Sequence, residues 1–216
     1  MKRCMTAAVL FAGLAWLYAL PLMAMDETTA ASLAHIQTRW AEIHYELPEG
    51  QQADAFASLA TEVDELLVDH PDAAELQAWA GIVRSTQAGA SGGLRALDLV
   101  KQARRHLESA LELDPMALNG SAYTSLGALY YQVPGWPLSF GDDDKAERYL
   151  KQALAINSDG LDTLYFWADY LHEQGRDSES LQALEKALRA PSRPGRELAD
   201  AGRREEVRRL MARLKR

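Results

Sequence analysis

The chain has 216 residues, with 23 Lys and Arg against 31 Asp and Glu, a formal charge of −8, and 48% apolar residues; this length suits one domain or one elongated array around a continuous core. The charge is divided: residues 25–188 hold eleven basic against twenty-seven acidic side chains, and residues 189–216 hold ten against four. A body at −16 repels phosphate backbones, which excludes nucleic acid as a main partner; the basic tail reads as a solvated helical face, with contact to the acidic body or to anionic lipid as the alternative.

In chain order, residues 1–24 read as a secretory signal peptide: Lys2 and Arg3, an apolar core over 5–20, a break at Pro21 and a small residue at Ala24. Cleavage after Ala24 places the protein in the periplasm. The alternative is an uncleaved membrane anchor, because the apolar run, counted past Pro21, is about long enough to cross a bilayer. The only cysteine, Cys4, precedes the apolar core, where a lipoprotein signal would need it after the core. The mature chain then has no disulfide, thiolate nucleophile or cysteine metal site.

Residues 25–47 place Leu33, Ile36, Trp40 and Ile43 on one helical stripe, and a second helix over 51–68 carries Phe56, Leu59, Val63, Leu66 and Leu67. A third helix starts near Asp72 as its N-cap, carries Leu76, Trp79, Ala80 and Val83, and runs into the breaker QAGASGG. A fourth over 94–113 turns Leu97, Val100, Ala103, Leu107, Ala110 and Leu111 inward and is stopped by Asp114-Pro115. Next come the helix-forming SAYTSLGALYYQ, an irregular VPGWPLSFGDD, and the helix-forming DKAERYLKQALAINSD. Small residues then repeat in register. Ala103, Leu107, Ala110 and Pro115 are spaced four, three and five apart, as are Ala146, Leu150, Ala153 and Ser158, and Ser180, Leu184, Ala187 and Ser192. Their first helices hold Gly81, Gly127 and Ala168 where two helices approach closely. The separation from that residue to its partner helix is 22, 19 and 12, so the first two units carry insertions of about ten and seven residues. Beyond APSRPGRE, a final helix over 196–215 carries Leu198, Val207, Leu210, Met211 and Leu214 on one side and arginines on the other, suited to covering the apolar end of an array.

This pattern resembles the tetratricopeptide repeat (TPR), a helix-turn-helix unit of about 34 residues with small residues at fixed places. TSLGALYY and KAERYLKQALAINSD carry the likeness; Ser158 in place of a proline and the two insertions depart from it. The fold it implies is all-α: a right-handed array of about four antiparallel helical hairpins over 25–191, then a linker and C-terminal capping helix over 192–216. An exported chain with PGWP between paired helices, followed by GDDDKA, also resembles the T component of tripartite ATP-independent periplasmic (TRAP) transporters. That resemblance implies an accessory protein working beside a periplasmic solute-binding protein.

Nothing points to catalysis. His35, His44, His70, His106 and His172 are scattered, and His172-Glu173 has Arg176 where a zinc pair needs its second His. No phosphate-cradling loop or nucleophile elbow is present, so the expectation is a non-enzymatic protein without cofactor or metal. Asp142, Asp143 and Asp144 lack the spaced ligands of a calcium site and suit the N-terminus of the following helix. The repeat register puts Glu75, Ala78 and Ile82, then Ser121, Thr124, Ala128 and Tyr131, then Asp162, Tyr165, Asp169 and His172 on a concave groove. The insertion over 133–141 adds Trp136 and Phe140, stiffened by Pro134 and Pro137; Trp136 either folds back into the inter-repeat core or contacts a partner. Trp40, Trp79 and Trp167 read as core. Two functions follow: an adaptor whose groove recruits a periplasmic protein, or a transport accessory whose groove or cavity takes a small polar solute. A closed aromatic cavity around Tyr131, Trp136 and Tyr165 would favour the second, and an open trough the first.

Overall fold

The structure, a computed structural model, describes residues 27–215; the segment 1–24, expected to be a signal peptide, lies outside them. It is an all-α array of antiparallel helical hairpins. Among the described residues there are nine α-helices: α1 Glu27–Tyr45, α2 Glu49–Asp69, α3 Ala74–Ser91, α4 Gly93–Leu113, α5 Ser121–Gln132, α6 Asp143–Ile156, α7 Leu161–Glu173, α8 Asp177–Leu188 and α9 Glu197–Leu214. None is long and apolar enough to cross a membrane. Helices α1 to α8 pair in sequence, and the first helices α1, α3, α5 and α7 also touch one another along one side.

The close-approach residues explain the pairing. A Cβ on Gly81 would sit 2.5 Å from Leu107 Cγ, and a Cβ on Gly127 would sit 2.6 Å from Leu150 Cγ. In the third pair Ala168 is fully buried and its carbonyl accepts the Ser180 hydroxyl at 2.7 Å. Small residues at equivalent positions thus fix three equivalent crossings.

The two insertions are built differently. The first is not a flexible break. It lengthens α3 and α4 until they meet at Gly92 and Gly93, whose φ of +64° and +63° lies in the left-handed region open to glycine. On the lengthened α4, Leu99 takes the buried position expected of Leu97, which turns to the concave side. The second insertion is a loop, closed by Gly141 N–H donating to the Pro134 carbonyl at 3.0 Å and Asp142 N–H to the Tyr130 carbonyl at 2.8 Å. Asp142 caps α6, its carboxylate accepting the Lys145 N–H at 2.9 Å. Asp72 does not cap α3: the extended residue before that helix is Ala73, without a side-chain cap. Asp114, ahead of Pro115, is extended and ends α4.

Helix α9 does more than cover the last hairpin. Its Val207 and Leu210 pack with Leu161, Leu164 and Leu184 in the carboxy-terminal core, while its Ala199 packs with Trp40 and Trp79 in the amino-terminal core. It meets α1 where Gly202 leaves room for Tyr45: a Cβ there would sit 2.4 Å from the ring. The array is therefore bridged end to end across its concave side.

Candidate functional site

The concave faces of α1, α3, α5 and α7, the lengthened tip of α4 and the overlying α9 border a half-open cavity of about 740 Å³. Its apolar wall comes from Ile82, Leu97, Val100, Leu118, Ala128 and Leu129, so the extra turns of α3 and α4 form one side of it. Leu118 reaches this wall from a left-handed backbone, φ 50° and ψ 39°, a conformation costly for leucine and held by its packing against two cores. The opposite wall is polar and charged, and its charged groups come from α1, α7, the linker before α9 and α9 itself: His44, Asp162, Arg193, Arg196, Arg203 and Glu206.

Apart from Arg196, the charged groups of that wall form one connected network. The Asp200 carboxylate, 2% exposed, accepts the backbone N–H of Arg193 at 2.9 Å and its Nε–H at 2.7 Å. Arg193 then donates from Nη1 to Asp162 at 2.7 Å, and Arg203 donates from Nε to the other Asp162 oxygen at 2.7 Å. Arg203 also pairs with Glu206, whose Oε1 lies 3.3 Å from His44 Nε2 on α1. Burial by itself would raise the Asp162 pKa, but Arg203 and Arg193 outweigh it and hold the carboxyl well below the usual range. Glu206 is also lowered: burial opposes ionisation, and the His44 hydrogen bond and Arg203 prevail. Burial disfavours charge on Arg203, yet the surrounding acidic and phenolic groups raise its pKa. Tyr165, under the Arg203 guanidinium at 4.6 Å, is pushed up to about 12, chiefly by burial.

An aromatic cluster forms the floor beside the network. Trp40 stacks on His44 at 4.9 Å, meets Trp79 edge-on at 5.9 Å, and donates its indole N–H to Thr86 Oγ1 at 3.0 Å. Trp40 and Trp79 are core residues, 7% and 4% exposed, and cavity residues at once. Trp167, expected in the core, is only half-buried and stacks on Tyr170.

Of the residues singled out in the sequence, Thr124, Asp162 and Tyr165 line the cavity together; Thr124 Oγ1 lies 3.2 Å from Thr163 Oγ1. Tyr131 and Asp169 are joined instead, the phenol donating to the carboxylate at 2.7 Å between α5 and α7. His172 lies 2.8 Å from Asp177 at the surface where α7 turns into α8. Phe140 packs edge-on against Tyr130 at 5.4 Å, with the Arg104 guanidinium 4.5 Å from its ring. Trp136 does not plug the core: it is 90% exposed, because the hydrogen bonds that close the loop turn its tip away from the helices. The residues that sequence reasoning missed are His44, Tyr45, Arg193, Arg196, Arg203 and Glu206. Arg196, at the N-cap of α9, and Ala199, Arg203 and Glu206 within it are spaced three, four and three apart, one helical face whose small Ala199 was the available signal.

With this geometry in hand, solved structures give the comparison. A thermophilic TPR protein of Thermus thermophilus is similar, with a TM-score of 0.54 at 18% identity over 83% of this chain and 94% of that one. The likeness is one of fold. Two structures of MamA are more distant, with a TM-score of 0.45 each, at 19% and 17% identity; they cover 74% and 85% of this chain and 87% and 91% of their own. No protein-family model matches the sequence, and the search of curated proteins gives no match. The TPR likeness and the paired glycine crossings agree on the architecture, an all-α array of helical hairpins.

Proposed function

We propose that this protein is a non-enzymatic TPR-like scaffold that holds a protein partner in the bacterial envelope, after export to the periplasm. The observation behind this reading is the loop between α5 and α6, which exposes Trp136 at 90% and Leu138 at 67% on a closed frame. Large apolar side chains side by side on a soluble surface mark an interaction site. The frame lowers the ordering cost of binding, since Leu138 and Ser139 N–H groups already donate to the Gly135 carbonyl at 3.1 and 3.2 Å. Tryptophan is among the residues enriched at the energetic centre of interfaces.

The test uses the full chain as bait in a periplasmic extract, beside Trp136→Ala. The expected result is a partner captured by the wild type and lost by the variant, with the melting midpoint unchanged. Equal capture by both would remove the loop as the contact. Fractionation of the cell, with release of the outer compartment, tests the location: recovery only with cytoplasm would overturn export.

A second reading, an accessory component of a TRAP-type solute-uptake system, is favoured by one observation. The concave side holds a half-open cavity with Trp40, Tyr45, Trp79, Tyr165 and Phe166 in its lining, within the range of about 300–1,000 Å³ of small-molecule sites; of the three aromatics expected around a closed cavity only Tyr165 lines it, since Trp136 is exposed and Tyr131 is bonded to Asp169.

A further inference from the structure

Four arginines crowd the start of α9, and three are committed. Arg193 pairs with Asp162 and Asp200, Arg203 with Asp162 and Glu206, and Arg204 with Asp200 and the Ala190 carbonyl. Arg196 is different. Its side chain has no hydrogen bond or ion pair among the described residues, its Nε is buried without a partner, and its guanidinium stands 5.2 Å from the Trp79 ring. A guanidinium held over an aromatic face keeps its N–H fork free for a planar anionic group. Burial, reinforced by the neighbouring Arg193, lowers its pKa, so positive charge here is under-compensated and a bound anion would relieve it.

The rest of the cavity sets the other half of the ligand. Beyond the network the wall includes an apolar stretch of Ile82, Leu97, Val100 and Leu129, interspersed with uncharged hydroxyls and amides such as Ser85, Thr124 and Gln132. A cavity of about 740 Å³ holds a small organic molecule and excludes a folded partner.

We propose that the cavity binds a small amphipathic anion, its carboxylate or phosphate head on Arg196 and its apolar body along Ile82, Leu97, Val100 and Leu129. This rests on the reading that the cavity takes a small ligand, but not on any part in transport. Nor does it involve the Trp136 loop. The committed arginines cannot serve as well, because an anion there would compete with carboxylates already seated at hydrogen-bonding distance.

Calorimetric titration of the full chain with four ten-carbon probes tests this: decanoate, decyl phosphate, decanol and decyltrimethylammonium. The two anions should bind about tenfold or more tightly than decanol, the size of a charge-assisted hydrogen bond, and the cation weakest. Arg196→Gln should remove the anion preference while leaving decanol affinity as it was, and Arg196→Lys should retain part of it. A difference between decanoate and decyl phosphate would support the site and identify the head group. Equal affinity for decanoate and decanol, or an anion preference that survives in a folded Arg196→Gln, would overturn the anion site and leave an apolar cavity standing. If none of the four binds, the anion site and the cavity reading fall together.

Discussion

Asp162 ties three segments of the chain together by charge. It accepts from Arg193, 31 residues away, and from Arg203, 41 residues away, and so joins α7 to both the linker and α9. Asp162→Asn keeps the shape but leaves the two guanidinium groups leaning only on Asp200 and Glu206. Breaking a fully buried pair costs about 3–5 kcal/mol; Asp162 keeps 33% of its side-chain exposure, so the expected loss is smaller, about 2–3 kcal/mol, read from urea unfolding at pH 7. The pH dependence has a definite sign. Its folded pKa lies below the unfolded value of about 3.9, so the stabilisation is fully present above about pH 5 and is lost as pH falls below about 4. The stability gap between wild type and Asp162→Asn should therefore close on acidification. A gap constant from pH 7 to pH 3 would mean the charge contributes nothing. Asp162 was legible as a groove position from repeat spacing alone. Its partners were harder to read: the small Ala199 is the one local mark of the face that carries Arg203, and Arg193 lies in the linker, outside any helical periodicity.

At the scale of the helical pair, glycine decides the geometry, and the same residue type gives opposite signs at different positions. Gly127→Leu would drive its Cβ into Leu150, 2.6 Å away and fully buried, so overpacking of about 1–3 kcal/mol or more exceeds the roughly 1 kcal/mol gained in helix propensity. Gly89, also within a helix, has open space where a Cβ would stand, with nothing within 4 Å, so Gly89→Ala should raise stability by about 0.5–1 kcal/mol. Chemical denaturation of the two variants side by side checks both directions, and a destabilised Gly89→Ala would show that this stretch of α3 is not a free helix surface. The crossings were readable in the sequence because each is set within one hairpin by a small residue, opposite a leucine in the first two and bonded to Ser180 in the third. The insertions were visible only as excess length. Whether the excess becomes helix, as at 82–102, or loop, as at 133–142, depends on where the breakers fall: Gly92-Gly93 confines the first break to two residues, whereas Pro134 and Pro137 deny helix to the second throughout.

Over the whole molecule, α9 changes what kind of object the array is. A stack of hairpins is quasi-one-dimensional: each unit touches its neighbours, and the two ends can melt separately. Here Ala199 belongs to the first core and Val207 and Leu210 to the last, while Glu206 reaches His44 from 162 positions along the chain. Such bridging deepens the groove into a half-open cavity and couples the first hairpin to the fourth. No periodicity in the sequence reports it, since the contact depends on the curvature accumulated over all the repeats. Gly202 is the contact that can be tested, because the Tyr45 ring occupies the space a side chain would need. Gly202→Leu should lift α9 from α1 while Val207 and Leu210 keep it on the last hairpin. In the wild type, amide exchange of α1 and of α7 should slow together, as one cooperative unit. In the variant α1 and α2 should exchange faster while α7 and α8 keep their protection, and decanoate binding should weaken with the loss of the roof. Uniform acceleration throughout the chain would instead mean that the closure adds only general stability and does not link the two ends.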